Sequence, residues 1–202
     1  MHNRRSFMTA MVAVAAMPLF PLPTFARTVG RIAEDPAAPV LGNPNGDVTI
    51  VEFFDFQCGY CRSGYRALRE AVAEDGQVRL VLKDWTVFGS SSVYAAEAAL
   101  AARRLGVYEN ALSALMSTRG RLTPRGIDRV LARKGGLNMD AIHAEMATGK
   151  ASATALLARN DAEARSLRLE GTPSFVIGRQ LIAGDIGKRG FAAAIANARA
   201  SA

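Results

Sequence analysis

The feature that most constrains this chain is the tetrapeptide Cys58-Gly59-Tyr60-Cys61, which holds both cysteines of the 202 residues. A structural disulfide framework needs pairs spread along the chain, and a ring this small restrains little of it. A zinc site needs a second pair, or histidines at ligand spacing. His2 and His143 are remote and sit in no such pattern, so no metal is expected. The economical reading is a redox-active dithiol. Val48 to Phe56, just upstream, is nearly continuously apolar, β-branched and aromatic, the signature of a strand buried on both faces. Downstream, Tyr65, Leu68 and Val72 fall at helical spacing within a helix expected over Arg62 to Ala73. A strand that hands over to a helix at Cys58 puts that thiol at a helix N-terminus. The dipole and free amides there favour thiolate. Cys61 lies one turn on, placed to close the disulfide. Cys58 is therefore read as the nucleophile and Cys61 as the resolving thiol.

The rest of the chain fits a single α/β domain carrying an insertion. Residues 27–46 read as a loop-like arm, with Pro36, Pro39, Gly42, Pro44 and Gly46. Gln77 to Leu82 alternates as a second strand. Residues 90–168 are alanine- and leucine-rich, and their glycines together with Thr123-Pro124 divide them into four or five helices. Ser174 to Ile177 and Gln180 to Ala183 read as a hairpin around Gly178-Arg179, and 188–199 as a closing helix. The order makes a βαβ half (47–89) and a ββα half (169–202) sharing one sheet, with the helical block between them.

Residues 1–26 look like an export signal. Arg4 and Arg5 supply the positive start, Met8 to Leu22 the apolar stretch, and Thr24-Phe25-Ala26 a small-residue cleavage site. Arg4-Arg5-Ser6-Phe7 favours the twin-arginine route, although a Sec signal can also hold two adjacent arginines. Either route leads to an oxidising compartment, here the bacterial periplasm. Loss of this segment lowers the formal charge by two arginines, from +7 to +5. Basic residues elsewhere are scattered, with no run that suggests nucleic-acid binding.

Two longer segments carry a family resemblance. Glu52-Phe53-Phe54-Asp55-Phe56-Gln57-Cys58-Gly59-Tyr60-Cys61 resembles the active-site strand and motif of DsbA-like thiol:disulfide oxidoreductases. Gly171-Thr172-Pro173-Ser174-Phe175-Val176-Ile177-Gly178 resembles that family's cis-proline segment. Gly42-Asn43-Pro44-Asn45-Gly46-Asp47-Val48 is similar to the lead-in of the periplasmic branch related to ScsC and Com1 proteins. The resemblance implies a thioredoxin fold with an inserted α-helical subdomain, and Pro173 cis and facing the Cys58 sulfur. It implies a substrate strand paired with the Thr172 backbone beside Gly59 and Tyr60. It also makes Glu52 a buried acid/base beneath the cysteines, with Lys83 as a candidate charge partner; an exposed glutamate and a surface lysine are the alternatives. No cofactor is implied.

The expected partners are exported cysteine-containing polypeptides and a membrane redox protein, either a DsbB-like quinone-linked oxidase or a DsbD-like reductase. Gly59-Tyr60 and Thr172 resemble the isomerase side of the family. Yet only about twenty residues separate the cleavage site from the domain, too few for a separate dimerisation domain. A monomeric oxidase or general exchanger is therefore expected, and an isomerase or reductase kept reduced by a membrane donor is the alternative.

Overall fold

The computed structural model describes residues 22–201. Arg4, Arg5 and most of the expected export signal lie outside them. Helix α1 spans Leu22–Ala33, and strand β1 Val40–Gly42. Strand β2 (Val48–Phe54), helix α2 (Gly59–Asp75) and strand β3 (Val78–Asp84) form the first half. Five helices follow: α3 (Ser90–Arg104), α4 (Tyr108–Met116), α5 (Pro124–Arg133), α6 (Met139–Thr148) and α7 (Lys150–Ser166). Strands β4 (Ser174–Ile177) and β5 (Gln180–Ala183) and helix α8 (Gly187–Ala200) close the chain.

The sheet order is β1-β3-β2-β4-β5, with β2 parallel to β3 and every other pair antiparallel. Strand β2 is central, which is why its sequence is apolar on both faces. One face presents Ile50 and Phe54, with Leu80 and Leu82 of β3, to a large core. Leu68 of α2, Phe191 of α8, and Leu112, Leu115 and Ile127 of the helical block join that core. The other face presents Val51, Phe53 and Val81 to Ile32 of α1 and to Ala164 and Leu167 at the end of α7. The sheet thus lies between two helical layers, in a mixed α/β fold.

The arm differs from the loop expected over 27–46. α1 extends to Ala33, and Val40–Gly42 adds an edge strand to β3. Val29, Ile32 and Ala33, at helical spacing, pack on the sheet. Docking stabilises this helix, and a window centred on the prolines after it does not show that. The three residues of β1 are too few to display an alternating pattern. Helix α2 also starts three residues before the expected Arg62, because Cys58 itself is its N-cap.

Candidate active site

Cys58 adopts an extended conformation (φ −68°, ψ 120°) as N-cap of α2, and its sulfur accepts from the Cys61 backbone N–H at 3.4 Å. The preceding turn is fixed by Asp55. Its carbonyl accepts from Cys58 N–H at 3.0 Å. Its carboxylate accepts from Gln57 N–H and the Ser92 hydroxyl, each at 2.7 Å, and from Phe88 N–H at 3.2 Å. Asp55 thereby ties the turn to the start of α3.

Both thiols are free, and both are nearly buried, Cys58 at 3% exposure and Cys61 at 1%. Accessibility therefore distinguishes them less than their surroundings do. A hydrogen bond from Cys61 is the largest influence on the Cys58 thiol. Against the opposing effect of burial, this bond, the Thr172 side chain and the N–H groups of Cys61 and Tyr60 bring it down to about 5. Burial, the Cys58 sulfur and the nearby Glu52 carboxylate push the Cys61 thiol strongly up. At neutral pH the pair is one thiolate beside one thiol.

The Thr172–Pro173 peptide bond is cis. It brings the Thr172 carbonyl oxygen to 3.1 Å from Cys58 Sγ, where it accepts from the thiol in the protonated form. Gly59 is exposed, and Tyr60 is 74% exposed beside the cysteine. The structure thus gathers Cys58, Cys61, Thr172, Pro173, Gly59 and Tyr60 at one end of the sheet.

Glu52 is buried on the α2 face of β2. Burial raises its carboxyl to about 8, helped by the charges of Asp84, Cys58 and Asp185. Lys83 is not its partner. Lys83 is paired in register with Phe53, and Glu52 with Leu82, so the two side chains project from opposite faces of the sheet. Nor is Lys83 on the surface. Fully buried, it meets Asp35 at 2.8 Å and Glu163 at 2.9 Å. Arg159 completes that network with two bonds to Asp35. The acid that shares the Glu52 face is Asp84, paired in register with Phe54. Both its oxygens are buried without a hydrogen bond, and burial, then the charge of Asp55, pushes it up to about 8. Sequence reading ended the second strand at Leu82 and missed Asp84.

Arg62 was also missed as more than a helical residue. Its guanidinium donates to the carbonyls of Gln57 (2.6 Å) and Gly120 (2.8 Å) and to the Thr118 hydroxyl (3.2 Å). Gln57 accepts from Leu122 N–H at 2.9 Å through its side chain. Together they fasten the α4–α5 connection to the active-site turn. No periodic signal announces such a link, because its two ends lie about sixty residues apart.

Comparison with known proteins places this geometry in a family. A family model described as thioredoxin matches residues 34–197. A thioredoxin-like oxidoreductase from Silicibacter pomeroyi DSS-3 is 41% identical in sequence; the match covers 85% of this chain and 97% of that one at a TM-score of 0.79. The thiol-disulfide exchange protein alpha-DsbA2 from Wolbachia pipientis shares the fold at TM-score 0.80, with 22% identity over 87% of this chain and 96% of that one. The catalytic domain of Proteus mirabilis ScsC does so at 0.74, with 21% identity over 88% and 98%. The Na(+)/H(+) antiporter NhaA 3 of Salinispora tropica is 29% identical over 169 residues; these are 81% of this chain, but the chain spans only a quarter of the antiporter's length. Among the described residues no helix is long and apolar enough to cross a membrane. With Cys58 capping α2, a buried Cys61 and a cis Thr172–Pro173 bond whose Thr172 carbonyl lies 3.1 Å from the Cys58 sulfur, the chain belongs to the thioredoxin family and is a thiol:disulfide oxidoreductase.

Proposed function

We propose that the protein works in the periplasm as an oxidase or general disulfide exchanger for exported polypeptides, with Cys58 as nucleophile and Cys61 as resolving thiol. One observation carries the reading: the Cys58 thiol is drawn down to about 5 while Cys61 is held protonated. A stabilised thiolate favours the dithiol form of the enzyme and so makes its disulfide form oxidising. A thiol drawn down in this way gives the disulfide form its oxidising power. The motif Gly59-Tyr60 has no imidazole to lower it further.

In the oxidising direction a substrate thiolate attacks Cys58 Sγ of the Cys58–Cys61 disulfide. A mixed disulfide forms, and Cys61 leaves as a thiolate that takes a proton. Glu52, protonated up to about pH 8 and near Cys61, is the acid placed to supply it. The substrate's second thiolate then attacks its own sulfur in the mixed disulfide. The substrate leaves with its disulfide, and Cys58 is released as the stable thiolate. Two electrons pass to the enzyme, and a DsbB-like membrane partner removes them. During exchange the Thr172 backbone pairs with the extended substrate segment, while Gly59 and Tyr60 face it.

Alkylation trapping of the two thiols in living cells tests the direction. A predominantly disulfide form is expected. A predominantly dithiol form would replace this reading with an isomerase or reductase served by a DsbD-like donor.

A further inference from the structure

A cleft of about 910 Å³ opens beside the active site, between the first turn of α2 and the 116–121 segment that joins α4 to α5. Its far wall is fixed to the redox helix through Arg62 and Gln57. Three arginines line it, Arg62, Arg119 and Arg121, and no aspartate or glutamate does. Arg62 is bonded to uncharged oxygens, so its charge is not neutralised locally. Arg119 and Arg121 are exposed, and neither makes an ion pair among the described residues. Elsewhere on α2 the arrangement differs: Arg66 pairs with Glu70 and Arg69 with Glu109. The first turn of α2 holds no acid either, and its amide end adds to the positive potential. Phe88, 53% exposed, and Met116 give the same cleft an apolar lining.

We propose that this cleft docks an acidic stretch of the substrate polypeptide, so that cysteines flanked by aspartate or glutamate are the preferred partners of Cys58. The inference rests on the exchange activity above and names its substrate class. Unpaired guanidinium groups on a concave wall attract carboxylates, and a cleft lined by one sign of charge raises the encounter rate of the opposite sign. The acidic segment then lies along the wall while its cysteine reaches the sulfur at the N-terminus of α2.

The test uses the Cys61→Ser protein and three peptides. Each carries one cysteine in disulfide with a small uncharged thiol, flanked by acidic, neutral or basic residues. Cys58 attacks the peptide sulfur, the small thiol leaves, and the rate of mixed-disulfide formation is read. The acidic peptide should react about tenfold faster than the neutral one at low salt, and the basic one more slowly. The spread should collapse at about 0.5 M salt, where charges are screened. Adding Arg119→Glu and Arg121→Glu should invert the acidic-to-neutral ratio. Equal rates for all three peptides, or a ratio untouched by the double change, would overturn the docking inference and leave the exchange function standing. Failure of every peptide to react would bring down the exchange reading itself.

Discussion

The redox pair works through a division of charge between two sulfurs one helical turn apart. The largest influence lowering the Cys58 thiol is the hydrogen bond from Cys61, which permits a sharp expectation. Cys61→Ser keeps a donor at that place, so the Cys58 thiolate absorbance should still titrate near 5. Cys61→Ala removes the donor and should move the titration upward. Both variants should accumulate mixed disulfides with substrate, because neither can resolve them. The same shift has a stability sign. A thiol whose folded value is depressed stabilises the folded dithiol protein fully above its unfolded value, roughly 8.5. That stability is lost as pH falls through about 5. The melting temperature of the dithiol form relative to the disulfide form should therefore rise with pH between these limits. A flat difference would mean that Cys58 is not the shifted group.

At the scale of elements, the arm and the sheet are held together by ions on the face away from the cysteines. Lys83 of β3 reaches Asp35, just after α1, and Glu163 of α7, and Arg159 of α7 also holds Asp35. Burial alone would raise the Asp35 carboxyl, but bonds from Lys83 and Arg159 hold it down at about 2. Removing the ammonium leaves carboxylates buried without their shared partner. Lys83→Met should cost about 3 kcal/mol in denaturant unfolding, the low end for such a break because Arg159 still holds Asp35. A depressed carboxylate contributes its stability above its unfolded value near 3.9 and loses it as pH falls toward 2. The gap between wild type and Lys83→Met should accordingly narrow below about pH 4. Activity toward a small peptide disulfide at neutral pH should persist, since Lys83 lies across the sheet from Cys58.

At the scale of the described molecule, the redox centre lies beside the cationic cleft. α1 folds back onto the sheet and buries Ile32 there, which commits the end of this helix to its own domain. The described domain by itself offers little surface to hold a misfolded chain through repeated disulfide trials. The protein lacking residues 1–26 is expected to be a monomer by mass-resolved sizing and to recover a scrambled substrate slowly. A dimer or trimer with rapid recovery would promote the isomerase reading.

What could be read from the sequence was local. The apolar run into Cys58, the helical spacing after it, and the punctuation of the 90–168 block all report a residue's relation to near neighbours. These yielded the α/β order, four or five helices between the sheet halves where the structure has five, and the hairpin at 174–183. The cis state of the Thr172–Pro173 bond was legible only through the family resemblance. Relations between distant elements were another matter. Whether Lys83 meets Glu52 or Asp35 depends on strand register, which sets it opposite Phe53 and so on the far face. Asp84 became a neighbour of Glu52 by the same register, two residues past the point where the alternating pattern faded. The cationic cleft exists because Arg62 reaches Gly120 across the fold, bringing Arg119 and Arg121 beside the redox helix. Periodicity fixes the face a side chain takes within its own element. Only the packing of those elements decides which charges share a face, and that packing placed three arginines, with no carboxylate among them, beside Cys58.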